Sequence, residues 1–409
     1  MHPPQHLYTS EQELRSLSGT AARSGWILIV AGVILLALAL VFGFMRGDSL
    51  RYFFHAYLVS FCFYLSIALG ALFFVALQHA SRAGWSVAVR RVAEVMAANV
   101  LLMAVLFLPI LLPLLFGSTA LYSWLDPAVV AGDHVLAGKS AYLNLPWFIV
   151  RAAAFFGIWG ALVWYFWRRS LQQDQSGDAD LTLRMERVSY PALLLFAVTI
   201  TFAAFDWIMS LTPHWFSTIF GVYYFAGAVV GFLSAVILAL ITLQKMGYLT
   251  ATVTLEHYHE LGKLLFAFTV FWGYIAFSQY MLIWYANIPE ETTWYLPRQK
   301  DQWITVSLVL LFAHLLIPFF GLMARGVKRR PAVLGFWAAW LLVAHWIDVQ
   351  YLIMPNVPLS GWPLGLLDLC CMVGMGAIFV AGVVLFAGSR SLTPTKDPRL
   401  GESLGFENI

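Results

Sequence analysis

Ten long apolar stretches constrain this sequence more than any other feature. Each has about 20 residues or more, the length that a helix needs to cross the hydrocarbon core of a bilayer. They lie at about 26–45, 53–77, 95–116, 146–167, 190–211, 217–243, 261–286, 303–323, 332–352 and 366–387. Only 11% of the 409 residues are charged, against roughly 25% in soluble domains. The sequence therefore predicts an all-α, polytopic membrane protein of ten transmembrane helices, and excludes a water-soluble enzyme or a nucleic-acid-binding protein.

Basic residues predict the orientation of these spans. Eighteen of the 24 lysines and arginines lie in segments on the side of the N-terminus and five on the opposite side, while Arg151 lies inside span 4. Short cytoplasmic loops are enriched in lysine and arginine, so we expect both termini in the cytoplasm. The first apolar stretch is too long for a signal-peptide core. This predicts an N-terminal segment at 1–25, a membrane domain at 26–387 and a cytoplasmic tail at 388–409.

Paired positions indicate an internal repeat. Two glutamine–glutamate pairs flank the loops entering spans 3 and 7 with an offset of 166 residues: Gln78 with Glu94, and Gln244 with Glu260. Asp206 in span 5 and Asp348 in span 9 each stand seven residues before a proline. The pattern predicts two tandem four-helix bundles, at about 53–211 and 217–352, with spans 1 and 10 outside them. The alternative is that these matches are coincidental.

Ionisable side chains inside the spans are the candidate functional residues. A charged group at the centre of a membrane helix costs roughly 2.5–3.5 kcal/mol on insertion scales, and such groups usually serve a pathway. Most of them fall in the outer half of the spans, and one lies near the middle of span 8: His55, Arg151, Asp206, His345, Asp348 and Asp368, with His314 near the middle. For His55 and Asp368, simple solvation at the interface is the alternative account.

His345 and Asp348 are three residues apart and share one helix face. A carboxylate can orient an imidazole and raise its basicity, so the pair can accept a proton. The alternative is a structural hydrogen-bond pair, such as Asp348 held by Arg151. Asp206 has no nearby histidine in the sequence, and a relay role and a structural role are equally open for it. We expect Arg151 to pair with one of the carboxylates, because a lone buried guanidinium is costly.

A second polar group precedes span 7. Glu256, Glu260 and Lys263 fall on one helix face. They are either a solvated first helical turn, or Glu260 and Lys263 form the mouth of a proton half-channel, for which Glu94 is the corresponding carboxylate of the first bundle.

Metal and haem binding are not expected within this chain. The three cysteines lie in apolar runs and form no CxxC pair. A b-type haem needs two facing imidazoles at similar depth, whereas His314 and His345 differ by about four residues in depth. The small residues Gly227 and Gly231 predict a close approach of another helix to span 6.

Three stretches carry a family resemblance. They are FDWIMSLTPHWFSTIFGVYY at 205–224, LGKLLF at 261–266 and FSQYMLIWYANIPEE at 277–291. They resemble the polytopic quinol-interacting subunits of alternative complex III, a bacterial quinol:electron-acceptor oxidoreductase, within the wider NrfD/PsrC-like family. The chain is most similar to the shorter, ActF-like subunits, and the motif resemblance covers about 190–355.

The resemblance implies a ten-helix subunit of two four-helix bundles in a bacterial inner membrane. It implies three partners: a sister ten-helix quinol-interacting subunit, an iron–sulfur subunit and a multihaem cytochrome c subunit. Quinol or menaquinol would bind toward the outer face, while haem c and iron–sulfur clusters would lie on the partners and no cofactor directly on this chain. Ala203 stands in the first bundle at the position that matches His345, which argues against two equivalent sites.

Two other functions stay open from the sequence. A secondary transporter also combines repeats with intramembrane polar residues, and prolines in span 3 (Pro109, Pro113) and span 8 (Pro318) are typical of broken helices. A purely structural anchor for peripheral redox subunits would need none of the intramembrane carboxylates for activity.

Overall fold

Ten long apolar helices dominate the part of the chain that the structure describes and make it a multi-pass membrane protein. The structure is a computed structural model that describes residues 17, 20–357, 364–388 and 390–408. Within that part of the chain, ten helices are long and apolar enough to cross a membrane: Ala22–Arg46, Arg51–Ala80, Gly84–Leu115, Leu145–Ser176, Asp180–Leu211, Phe220–Lys245, Leu255–Ala286, Asp301–Met323, Pro331–Asn356 and Leu366–Ala387. The ten predicted spans are confirmed. Most of the predicted N-terminal segment lies outside the described residues.

Several helices begin or end well beyond their apolar runs. Span 4 continues to Ser176, span 5 starts at Asp180 and span 7 starts at Leu255, because backbone hydrogen bonding continues into polar, amphipathic turns. The predicted entrance loops are corrected accordingly. Glu94 lies inside the helix Val87–Leu106 and Glu260 inside Leu255–Ala286, so neither stands next to a loop.

Shorter elements connect the spans. The longest connection, between spans 3 and 4, contains the helices Pro127–Ala131 and His134–Lys139. Further short helices are Pro289–Thr292, Arg325–Lys328 and Leu400–Leu404. With ten spans, the described chain starts and finishes on one side of the molecule, here named the tail face. The side that carries the long connection is named the loop face.

Spans 2 and 6 lie at the centre of the molecule and pack against each other. Span 2 is 89% buried over its apolar window. Spans 2, 3, 4 and 5 contact one another in succession, and span 5 returns to span 2. Spans 6, 7, 8 and 9 do the same, and span 9 returns to span 6. Spans 1 and 10 pack on each other and against span 2.

The prolines do not unwind spans 3 and 8. Phe107, between the helices Val87–Leu106 and Leu108–Leu115, keeps helical dihedral angles (φ −77°, ψ −22°) and its backbone hydrogen bonds. In span 8, Leu310–Leu316 form a π-helical segment before Pro318. Proline has no N–H to donate to the carbonyl five residues earlier in that register. Instead, Trp340 Nε1 of span 9 donates to the Ala313 carbonyl at 2.7 Å.

Candidate functional site

Asp348 is the centre of a buried polar group in the loop-face half of spans 6–9. Its carboxylate is 1% exposed. Tyr223 of span 6 donates to Oδ1 at 2.5 Å, and Trp272 Nε1 of span 7 donates to Oδ2 at 3.0 Å. No ion pair links Asp348 to a basic side chain among the described residues. Two neutral donors therefore hold a carboxylate at a depth where an isolated charge is expensive.

His345 lies one turn away on the same face and packs on span 6. A Cβ at Gly227 would lie 2.8 Å from Cε1 of the imidazole, and one at Gly231 would lie 2.8 Å from its Cδ2. The two glycines therefore make room for the ring. The same Cβ position at Gly227 lies 3.1 Å from His345 Nδ1 and 3.6 Å from Asp348 Oδ2. Both atoms therefore border the small space beside Gly227.

The partner of His345 Nε2 fixes the tautomer of a neutral ring. Ser66 Oγ of span 2 lies 2.8 Å from Nε2 and donates its own hydrogen to the Phe63 carbonyl at 2.6 Å. A hydroxyl has one hydrogen, so Oγ must accept from Nε2–H. Nδ1 is then the acceptor nitrogen, and it has no hydrogen-bond partner among the described residues.

His314 adds a second imidazole. Its ring lies 3.8 Å from that of Trp272 and 6.4 Å from that of His345, measured between centroids. Neither of its nitrogens has a hydrogen-bond partner in the described part of the chain. It lies on the π-helical segment of span 8, a distortion that is frequent at functional sites. Tyr223, Trp272, His314, His345 and Asp348 are together named the Asp348 cluster.

Asp206 has a different environment from Asp348. Arg151 Nε lies 2.6 Å from Oδ2, and the Tyr142 hydroxyl donates to Oδ1 at 2.8 Å. Arg151 also donates to the Tyr142 carbonyl at 3.0 Å. The arginine that was expected to pair with a carboxylate thus pairs with Asp206.

His55 and Asp368 lie outside the Asp348 cluster and have local partners. Asp368 accepts from the Tyr52 hydroxyl at 2.6 Å and from the backbone N–H of Gly365 at 2.9 Å, at the start of span 10. His55 Nδ1 lies 2.8 Å from the Arg51 carbonyl. These contacts agree with a capping role for Asp368 and a structural role for His55.

Glu94 belongs to a buried ion network at the tail-face end of span 3. Arg90 Nε lies 3.4 Å and Arg91 Nε 3.0 Å from its carboxylate oxygens. Arg91 also contacts Asp174 at 2.6 Å, and Arg90 binds Asp397 of the C-terminal tail. Two arginines are therefore shared among three carboxylates, one of which the tail supplies.

The second tail-face group is less buried. Glu260 pairs with Lys263 at 2.5 Å, and Lys263 donates to Asn408 Oδ1 at 2.9 Å. Glu256 pairs with Arg329 at 2.5 Å. These groups lie at the opposite end of the spans from the Asp348 cluster.

Arg298, in the connection before span 8, supports the helix that carries Asp348. It is 1% exposed and donates to the carbonyls of Tyr351 and Leu352 at 3.1 and 2.9 Å, at the end of span 9. Its guanidinium also stacks 3.5 Å from the Trp294 ring. Burial lowers the pKa of Arg298 to about 10, so it is charged at neutral pH and stabilises the helix C-terminus.

Sequence reasoning missed the partners of the site rather than its centre. The sequence alone does not identify Tyr223, Tyr142, Ser66 or Trp272 as hydrogen-bond partners of these side chains. Tyr223 lies within the 205–224 motif, which is the one signal that pointed to it. The described residues contain no group of three metal-ligating side chains.

Comparison with known proteins leaves the family open. No family model matches the chain, and no curated protein matches it significantly. The resemblance to the alternative complex III membrane subunits therefore stays a prediction. The functional proposal rests on the geometry of the site.

Proposed function

We propose that this protein is an integral membrane subunit of a quinol:electron-acceptor oxidoreductase of the alternative complex III type. Its role is to conduct protons coupled to quinol oxidation and to help build the quinol region. The observation that carries the proposal is the Asp348 cluster, in which a buried carboxylate has only neutral donors beside two imidazoles.

A proton relay needs a group that can exist in both protonation states. Arg151 favours the ionised form of Asp206 at 2.6 Å, whereas Asp348 has no such cation. His345 Nδ1 is an acceptor without a partner in the described chain. His345 therefore accepts a hydrogen bond and a proton from a quinol hydroxyl, and Asp348 receives the proton next, in the manner of general base catalysis.

The tail-face groups extend this path in the proposal. Glu260 and Lys263 form its mouth in the second set of helices, and Glu94 occupies the corresponding place in the first. Arg151, His314, Asp368 and His55 are the remaining candidates along the spans. Their local partners make Arg151, Asp368 and His55 positioning residues, and His314 is the one whose ring nitrogens are free of partners in the described chain.

Electrons must leave through partners, since quinol oxidation releases two electrons and two protons. The proposed partners are a sister ten-helix subunit, an iron–sulfur subunit and a multihaem cytochrome c, in a bacterial inner membrane. The proposed location of the tail face in the cytoplasm rests on the excess of basic residues there.

The packing supports the proposed tandem repeat. Each of the sets 2–5 and 6–9 closes on itself, and spans 2 and 6 occupy equivalent places at their contact. Asp206 and Asp348 then occupy equivalent places in the two bundles, with Ala203 in place of a second His345.

The test is quinol-dependent turnover and proton release by the purified complex carrying Asp348→Asn. We expect turnover and proton release to fall at least tenfold while the subunit composition stays unchanged. A positioned acid or base accelerates a reaction by about 10²- to 10⁴-fold. Asp348→Glu should restore part of the rate, and Asp301→Asn, which changes an exposed loop-face carboxylate, is the matched control. Unchanged turnover in Asp348→Asn would contradict the relay and leave a structural anchor. Solute flux by the isolated protein in liposomes would instead indicate a transporter.

A further inference from the structure

A cavity at the tail-face end of span 4 is unrelated to the Asp348 cluster. It has a volume of about 650 Å³ and lies between the last turns of span 4 and the exit of span 10. Its lining includes three arginines and two tryptophans: Arg168, Arg169, Arg390, Trp164 and Trp167. None of its lining residues is acidic, so the cavity carries a concentrated positive charge.

The three arginines lie over aromatic rings and are not neutralised. Their guanidinium carbons lie 5.0 to 5.7 Å from ring centroids: Arg168 over Trp164, Arg169 over Tyr165 and Arg390 over Trp167. Arg169 donates to Gln172 Oε1 and Arg390 to the Phe386 carbonyl. None of the three forms an ion pair with an acidic side chain among the described residues. Their remaining N–H groups are free to bind an anion.

The cavity continues into an exposed stripe of span 4. Exposed positions of span 4 recur at helical spacing, at 157, 161, 164 and 168, so one stripe of the helix runs from apolar residues to Arg168. Trp164 on this stripe is 56% exposed. Tryptophan at the end of an apolar stripe is typical of the level of lipid headgroups. Acyl chains along the stripe would place a phosphate beside the arginines.

We propose that this cavity binds the phosphodiester headgroup of an anionic phospholipid. Arginine presents paired N–H donors that match phosphate oxygens, and basic pockets between membrane helices bind anionic headgroups. Trp164 and Trp167 hold the guanidinium groups in place and contact the glycerol region. The site is independent of the proposed quinol chemistry.

The experiment compares three forms of the full-length protein in its purified complex. These are the native protein, Arg168→Gln/Arg169→Gln/Arg390→Gln, and a matched control with the same charge change on the tail face, Arg184→Gln/Arg187→Gln/Arg330→Gln. Each is delipidated and titrated with phosphatidylglycerol or phosphatidylcholine while bound lipid is counted by native mass spectrometry. Each arginine near a membrane surface contributes roughly fivefold in affinity, so the triple variant should lose on the order of 100-fold for phosphatidylglycerol and the control much less.

Three results would overturn the proposal. They are equal binding of phosphatidylcholine by the native protein, unchanged phosphatidylglycerol binding by the triple variant, and displacement of the lipid by an equal concentration of soluble glycerol phosphate. The last would assign the site to a free phosphate compound. If the triple variant does not assemble, Arg390→Gln is tested alone, because Arg390 lies beyond the end of span 10 and not within a span. It removes one of the three arginines and should still weaken phosphatidylglycerol binding several-fold.

Discussion

Tyr223 donates its hydroxyl hydrogen to Asp348 over 2.5 Å, although the two residues are 125 positions apart in the chain. This bond joins span 6 to span 9 and, with Trp272, supplies neutral donors to the carboxylate. Asp206 instead has Arg151 at 2.6 Å. Two carboxylates at similar places near the ends of their helices thus differ in their partners, which are neutral donors for Asp348 and a guanidinium for Asp206.

The packing of His345 on Gly227 gives the first prediction. Gly227→Ala places a Cβ 2.8 Å from the imidazole, so the ring must shift from its present position between Ser66 and span 6. We expect a several-fold loss of quinol-dependent turnover and a lower melting temperature, since overpacking costs about 1–3 kcal/mol. Thermal unfolding and turnover of the purified complex measure both effects.

Gly157→Ala is the matched control for that substitution. Gly157 is also helical and lies in span 4, but no atom lies within 4 Å of its Cβ position. Alanine there should leave turnover unchanged. Equal turnover and equal melting temperature of the two variants would show that the packing of His345 against Gly227 contributes to neither.

The second prediction concerns the ion pair of Asp206. Asp206→Asn leaves Arg151 without its counter-ion at a buried site, and loss of one partner of a buried pair costs about 3–5 kcal/mol. Since Arg151 is 16% exposed, we expect the lower end of that range. Arg151→Gln/Asp206→Asn should recover part of the loss. A melting temperature of Asp206→Asn equal to that of the native protein would show that the pair contributes nothing to stability.

The spans could be predicted from the sequence, but the site partners could not. Apolar runs define the helices that cross the membrane, and the spacing of His345 and Asp348 places both on one face of span 9. The donors to Asp348 come from spans 6 and 7, and the acceptor for His345 comes from span 2. Such contacts depend on how the helices pack, which local periodicity does not encode. The polar helix extensions around Glu94 were missed for a related reason, since their charges pair only in the folded protein.

The third prediction concerns the C-terminal tail. Asp397 binds Arg90 and is buried together with it, so Asp397→Asn should destabilise the tail-face end of span 3. Arg90 keeps Glu94 as a second partner, and we therefore expect a loss of about 3 kcal/mol or less. Limited proteolysis of the tail and thermal unfolding measure it. Glu407→Gln, at an exposed position of the same tail, should change neither, and sensitivity of both variants alike would contradict a specific role for Asp397.

The fourth prediction is the acid sensitivity of the loop face. The backbone N–H of Leu136, together with the His214 side chain, holds the pKa of Asp133 below its usual value. A carboxyl whose pKa is lowered by folding stabilises the folded state at pH values above its unfolded pKa, about 3.9. That stabilisation is lost as the pH falls from there through the lower pKa of the folded state. Hydrogen exchange in the helix His134–Lys139 should therefore be constant from pH 7 to 5, after correction for the intrinsic rate, and increase below about pH 4. Asp133→Asn keeps a capping oxygen but has no carboxyl to titrate, so its exchange should no longer increase below about pH 4; an increase equal to that of the native protein would contradict the role of the Asp133 carboxylate.

The proposed membership in a quinol-oxidising complex is tested most directly by gentle extraction of the protein from its native membrane. The co-purifying subunits are identified, and a reduced-minus-oxidised spectrum of the pool is recorded. We expect haem c absorbance together with an iron–sulfur subunit and a second ten-helix subunit, all in fixed ratio. A colourless protein that purifies alone would contradict the proposal.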